Sequence, residues 1–164
     1  MKDLGEKLNQ IAYLESDPFC YGCYKVAPTG KCKTCHSDDL MRHVSGVGVE
    51  YGTEWVIKHL LAQELKAIDL DQAFEDSMTD CYSEPVQVGF LSLDPIDTMK
   101  KMDPTAWRCA KSDYESELES DDQIFSPDNG STYYWTSDVE RFIAANEKLA
   151  EFEDKEKTAQ ELES

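Results

Sequence analysis

The sequence predicts an α+β chain: a mostly helical domain with one strand and a β-hairpin, preceded by a small module built around cysteines. Three observations carry this. Apolar residues recur in steps of three and four over most of the chain, which is helical spacing. Two stretches break that rhythm with β-branched and aromatic residues beside turn signals. Four of the six cysteines fall in "CYGCYKVAPTGKCKTC", Cys20 to Cys35, as two Cys-x-x-Cys pairs separated by eight residues. At 164 residues the chain has the length of one domain with a real core.

Residues 1–18 form an N-terminal unit in which Leu4, Leu8, Ile11 and Ala12 give an amphipathic helix over 3–16, closed by Pro18. The cysteine module takes residues 19–42. "HVSGVGVEYG", 43–52, carries three glycines and reads as a connector. Residues 53–152 are expected to be one acidic α+β domain. Thr53 is placed to cap a helix over 54–67 whose stripe is Trp55, Ile57, Leu60, Leu61, Leu65 and Ile68. Leu70, Phe74, Met78 and Cys81 continue the spacing in a second helix. "PVQVGFLSL", 85–93, is β-rich and partly alternating, hence a strand.

Asp94-Pro95 and Asp103-Pro104 are twin start signals for helices over 95–102 and 104–119, because proline at the first helical position lacks an N–H that would be orphaned there. "QIFSPDNGSTYYW" gives two short strands around Asn129-Gly130. Ser137 or Asp138 caps a last helix bearing Val139, Phe142, Ile143, Leu149 and Phe152. Residues 153–164 are expected to be a solvated tail, where the Glu151–Lys155 and Glu153–Lys157 spacings are worth about 0.2–0.5 kcal/mol each. Over 54–135 the order helix, strand, helix, helix, strand, turn, strand resembles a winged helix in element order.

Charge is distributed unevenly. The chain has 34 acids against 16 bases, net −18. Residues 1–45 hold six of each, so residues 46–164 carry 28 acids and 10 bases. Such a field repels polyphosphates and attracts basic surfaces over about 8 Å at physiological salt. No run approaches the ~20 apolar residues of a membrane helix, and the N-terminus lacks the apolar core of a secretory signal. The chain therefore reads as cytoplasmic, where clustered cysteines point to metal or redox chemistry rather than to disulfides.

Two Cys-x-x-Cys pairs facing across a short spacer make a tetrahedral thiolate cage with every position filled. Gly22 eases the first loop and Pro28-Thr29-Gly30 reverses the chain between the pairs. Residues 20–35 resemble a short zinc ribbon or paired zinc knuckle. The resemblance implies one structural Zn²⁺ held by Cys20, Cys23, Cys32 and Cys35, with Lys25, Lys31 and Lys33 offsetting its charge. Tetrahedral iron takes the same ligands, and a colourless protein with one zinc per chain is the expectation. "CKTCH" also matches the attachment motif of c-type haem, but that chemistry needs export and leaves Cys20 and Cys23 without a role. A thioredoxin-like dithiol would need one pair at a strand–helix junction, not two.

No catalytic constellation is visible. His36, His43 and His59 have no partner at motif spacing, although His36 follows a ligand cysteine and would be an alternative ligand. The zinc-protease, serine-hydrolase and phosphate-loop motifs are all missing. Cys81 and Cys109 are expected as small core residues. The acid run 113–122 lacks calcium-loop spacing, so Glu115, Glu117, Glu119, Asp121 and Asp122 are expected to face water while Tyr114 and Leu118 face inward.

The reading is a non-enzymatic, zinc-stabilised acidic interaction protein that regulates or inhibits a basic nucleic-acid-handling protein. In its strongest form the carboxylates imitate the phosphates of a duplex, a resemblance in charge to antirestriction and other nucleic-acid-mimic inhibitors. Glu115, Glu117, Glu119, Asp121 and Asp122, with Tyr133 and Trp135 as aromatic anchors, are the expected contact residues. Direct nucleic-acid binding is not expected, because a −18 chain opposes every phosphate. The alternatives are a winged-helix, zinc-ribbon transcriptional regulator contacting DNA through Lys100, Lys101, Arg108 and Lys111, and an enzyme without a recognisable motif.

Overall fold

The computed structural model describes residues 2–147. Helix α1 (Lys2–Leu14) presents Leu8, Ile11 and Ala12 to α2 (Glu54–Glu64), which answers with Val56, Ile57 and Leu61. A helix over residues 136–147, α6, adds Val139, Phe142 and Ile143 to complete the main core. This helix begins before Ser137 and Asp138, so both lie in its first turn rather than at its cap. Leu149, Phe152 and the tail over 153–164 lie outside the described residues. Thr53 does precede α2, but its hydroxyl donates to Asn9 Oδ1 at 2.6 Å and so pins α2 to α1 instead of capping the helix.

Strands β1 (Asp17–Cys20), β2 (Lys25–Val26), β3 (Met41–Val44) and β4 (Gly48–Glu50) form an antiparallel sheet in the order β2-β1-β3-β4. The stretch 43–52, expected as a connector, is thus largely a hairpin. Gly46 at φ +76° closes it, with the Val47 N–H on Val44 O at 3.0 Å. A glycine that suggested slack is the residue the reversal requires.

Helix α3 (Leu70–Cys81) starts at Asp69, whose Oδ1 accepts from the Gln72 N–H. Helices α4 (Pro95–Met102) and α5 (Pro104–Ser120) start at Asp94 and Asp103, which accept from the N–H groups of Asp97 and Ala106 at 2.9 and 3.0 Å. The expected single strand over 85–93 is two, β5 (Val86–Val88) and β6 (Leu91–Leu93), because Gly89 at φ +61° turns the chain back on itself. The last hairpin is β7 (Ile124–Phe125) with β8 (Tyr134–Trp135). Among the described residues β5 and β6 pair only with each other, and the order over 54–135 is helix, helix, strand, strand, helix, helix, strand, strand, not the winged-helix-like order expected.

Helices α3, α4 and α5 make an arm with few buried residues, chiefly Phe74, Ile96 and Leu118. Phe74 packs on Trp107 and Tyr114 with ring centroids 4.7 and 5.5 Å away. Cys81 and Cys109 are exposed, not core. Cys81 ends α3, and Cys109 lies two positions from Trp107, about 200° around the helix and so away from the face that packs on Phe74. Among the described residues no helix is long and apolar enough to cross a membrane.

Candidate metal centre

Cys20 ends β1, Cys23 lies in the turn to β2, and Cys32 and Cys35 sit in the loop between β2 and β3. Their sulfurs converge, all within 4.8 Å of one another. Cys20 and Cys32 are buried, Cys23 is half-buried and Cys35 is exposed. All are free thiols, and the hydrogen-bonded pair Cys20 and Cys35 has its sulfurs 3.6 Å apart, far beyond the ~2.05 Å of a disulfide. Four thiolates about 2.3 Å from one ion would stand ~3.8 Å apart along each edge of the tetrahedron, so the spacing fits a metal ion.

The two halves of the cage repeat one design. In each pair the first cysteine accepts backbone N–H groups from its own loop: Cys20 from Cys23, and Cys32 from Cys35 and Thr34. In each, the residue after the second cysteine is left-handed, Tyr24 at φ 54° and His36 at φ 60°. That conformation is uncommon for a non-glycine residue, and its recurrence at the same place after both pairs marks one repeated turn. The His36 N–H donates to Cys32 O at 2.8 Å, and the Cys32 N–H donates to Ser37 O at 3.0 Å. His36 has become a turn residue, and the cluster of potential ligand atoms consists of the four cysteines.

Crowding splits the acidities of the sulfurs. The Cys35 and Cys32 thiols, and then burial, push Cys23 up to about 12. The N–H groups of Cys35 and Thr34 bring Cys32 down to about 6. At Cys20 the Cys23 N–H pulls downward, but burial and the neighbouring thiols outweigh it and leave the group raised. Four negative sulfurs cannot share this space without a cation, so a divalent ion would enter by displacing protons.

Arg42 fastens the cage to the rest of the molecule. It lies on β3 and is buried; it donates to Ser16 Oγ at 2.9 Å, to Tyr13 O at 2.7 Å and to Ser16 O. Its guanidinium also lies 4.1 Å from the Tyr13 ring centroid. A cation at the end of α1 meets carbonyls that the helix leaves unpaired. The sequence reading missed this residue, since one arginine among mixed charges carries no pattern.

The other expected site residues come together only in part. Glu119 Oε1 accepts from the Tyr133 hydroxyl at 2.6 Å, which joins the acid run to the β7–β8 hairpin and pushes the phenol up to about 12. Glu117, Asp121 and Asp122 are exposed. Glu115 is half-buried and paired with Lys111 at 3.3 Å, not free in water. Tyr133 and Trp135 are half-buried, and Tyr134 between them is a core residue.

Fold and site together define an α+β protein carrying, near its N-terminus, a cluster of four cysteines placed to hold a metal ion. No protein-family model matches the chain, and no curated protein or solved structure matches it significantly.

Proposed function

We propose that the chain is a zinc-stabilised, non-enzymatic interaction protein whose acidic surface binds a basic nucleic-acid-handling protein and so regulates or inhibits it. Zinc suits an all-sulfur, closed tetrahedral site, and four thiolates leave no position open for water or substrate. The ion then acts as a structural clip, with no part in chemistry.

One observation carries the polarity of the reading: two of the four bases that would favour DNA, Lys100 and Lys111, are already engaged by acids, while Lys101 and Arg108 are exposed and in no ion pair among the described residues. Lys100 Nζ lies 2.6 Å from Glu75, and Lys111 pairs with Asp71 and with Glu115. By contrast, no cation among the described residues pairs with Glu117, Asp121 or Asp122. Exposed carboxylates at the end of α5, next to Tyr133, offer a basic partner charge and aromatic area together.

The test is affinity purification from the native host, followed by challenge with duplex DNA. The expected prey is a basic nucleic-acid-binding protein that duplex releases competitively, while the chain alone shifts no duplex at physiological salt. Tight duplex binding by the chain itself would overturn the proposal in favour of a DNA-binding regulator. Elemental analysis is expected to find one zinc per chain.

A further inference from the structure

The β5–β6 hairpin turns its apolar face outward. Cross-strand partners share a face, so Val86 with Leu93 and Val88 with Leu91 line one side, and Gln87 with Ser92 line the other. Val86, Val88 and Leu91 are 43%, 56% and 49% exposed, and Phe90 at the tip is 96% exposed. Every residue from Thr79 to Ser92 is exposed; on the apolar face only Leu93, at the base of the hairpin, is half-buried, and among the described residues Val86, Val88, Phe90 and Leu91 stay open. Such faces invite indiscriminate pairing, and proteins ordinarily blunt them with charge. The internal fold gains little from Val88, Phe90 and Leu91 here, so their presence calls for an occupant.

The surrounding charge narrows the choice. From Glu75 to Asp97 there are six acids and neither lysine nor arginine. Asp80, Glu84 and Asp94 are exposed at the base of the hairpin. A second copy of a −18 chain would bring two such collars together. Residues 148–164, with six acids and three bases, would also meet like charge, as would an anionic bilayer. The complementary occupant is basic.

We infer that the β5–β6 hairpin is an apolar finger that docks into an apolar groove rimmed by lysine and arginine on another protein, with Phe90 as its anchor. This rests on the reading of the chain as an acidic interaction protein and adds a second point of contact to it. The collar steers the encounter and makes it salt-dependent; Phe90 and Leu91 set how long the complex lasts.

A photo-cross-linking amino acid placed at position 90 of the full chain in its host identifies what the tip touches. The captured protein, purified, is then titrated against wild type, Phe90→Ser/Leu91→Ser and Glu117→Gln/Glu119→Gln/Asp121→Asn. The expected result is a basic protein whose affinity falls about 30-fold with the hairpin variant, the loss a typical aromatic hot spot gives. That variant is expected to keep the wild-type circular dichroism and melting temperature, since both side chains are exposed. Wild-type affinity is expected to drop at least about tenfold between about 50 and about 300 mM salt.

A partner weakened by the α5 variant but not by the hairpin variant would overturn the finger and leave the acidic-interaction reading standing. A partner that needs Phe90 and Leu91 yet binds equally at both salt concentrations would overturn the basic groove and that reading with it. Cross-links to a second copy, to residues 148–164 of the same chain, to lipid or to nothing would overturn the inference.

Discussion

The cysteine sheet, residues 17–50, and the α3–α5 arm, residues 69–120, both stand outside the main core, and each has too few apolar residues to bury one of its own. The sheet buries Phe19, Cys20, Ala27, Cys32 and Arg42, and two of those five belong to the four-cysteine cluster that could hold a metal ion. The arm buries Phe74, Ile96 and Leu118 and otherwise relies on the rings of Trp107 and Tyr114 and on ion pairs such as Lys100 with Glu75. A metal cage is strong and local, and once formed it leaves nothing unsatisfied. An aromatic cluster with exposed ion pairs is weaker, and the arm leaves an apolar hairpin uncovered beside it. What differs is where each region could find its missing stability: the sheet has a built site for an ion inside the chain, whereas the arm has the main core and its own ion pairs and rings.

Removing the clip should produce the largest effect. Apparent zinc-binding energies of about 10–16 kcal/mol in small cages exceed the whole stability of most domains, so Cys32→Ser should cost the chain its metal and unfold the sheet. The measurement is metal content together with hydrogen exchange: protection should vanish over residues 17–50 and persist in α2 and α6. If the sheet stays protected without metal, the contrast between the regions fails. Phe74→Ala comes next, costing about 3–5 kcal/mol in a region with little to spare. Exchange should then become fast in α3, α4 and α5 with the main core intact, whereas Leu61→Ala, at about 2–5 kcal/mol, should lower protection everywhere.

Legibility in the sequence followed the same division. The cage was readable because metal chemistry fixes residue type and spacing together, and Cys20, Cys23, Cys32 and Cys35 meet as their spacing requires. Asp94 and Asp103 announced their helices because a cap is a local device that needs only the next three residues. The stretches 43–52 and 85–93 were misread for one reason: Gly46 and Gly89 are turn residues, and composition does not separate a glycine that turns a hairpin from one that loosens a link. Cys81 and Cys109 were misplaced because helical spacing marks an apolar stripe without telling whether anything packs against it. Arg42 was invisible because its carbonyl partners, on Tyr13 and Ser16, are brought to it only by the tertiary fold.

Arg42→Met sharpens the comparison at the hinge between sheet and core. The substitution keeps much of the side-chain volume but strands the Tyr13 and Ser16 carbonyls, a loss of about 2–3 kcal/mol for charged hydrogen bonds. Metal content should stay at one per chain while the melting temperature falls. A fall in metal content instead would mean that the core helps to shape the cage, and the two would no longer count as separate sources of stability.

The smallest effect tests the joint between α2 and the β7–β8 hairpin, where the chain returns from the arm to the core. Asp128, in the loop between β7 and β8, accepts from the Thr132 N–H at 2.7 Å and from Ser126 Oγ at 3.1 Å, with Lys58 Nζ of α2 3.2 Å away. Burial alone would raise its pKa; the Thr132, Lys58 and Ser126 donors overcome that and bring it down from 3.8 to about 2. A carboxyl with a depressed folded value adds stability fully only above its unfolded value, and that contribution fades as pH falls through the folded one. Asp128→Asn should therefore cost about 1 kcal/mol at neutral pH, seen as a lower melting temperature. The gap between variant and wild type should close between pH 4 and pH 2, where the wild type protonates the same group. A gap that stays constant down to pH 2 would assign the loss to loop geometry rather than to the charge, and the Lys58 contact would then contribute nothing to holding the β7–β8 loop to α2.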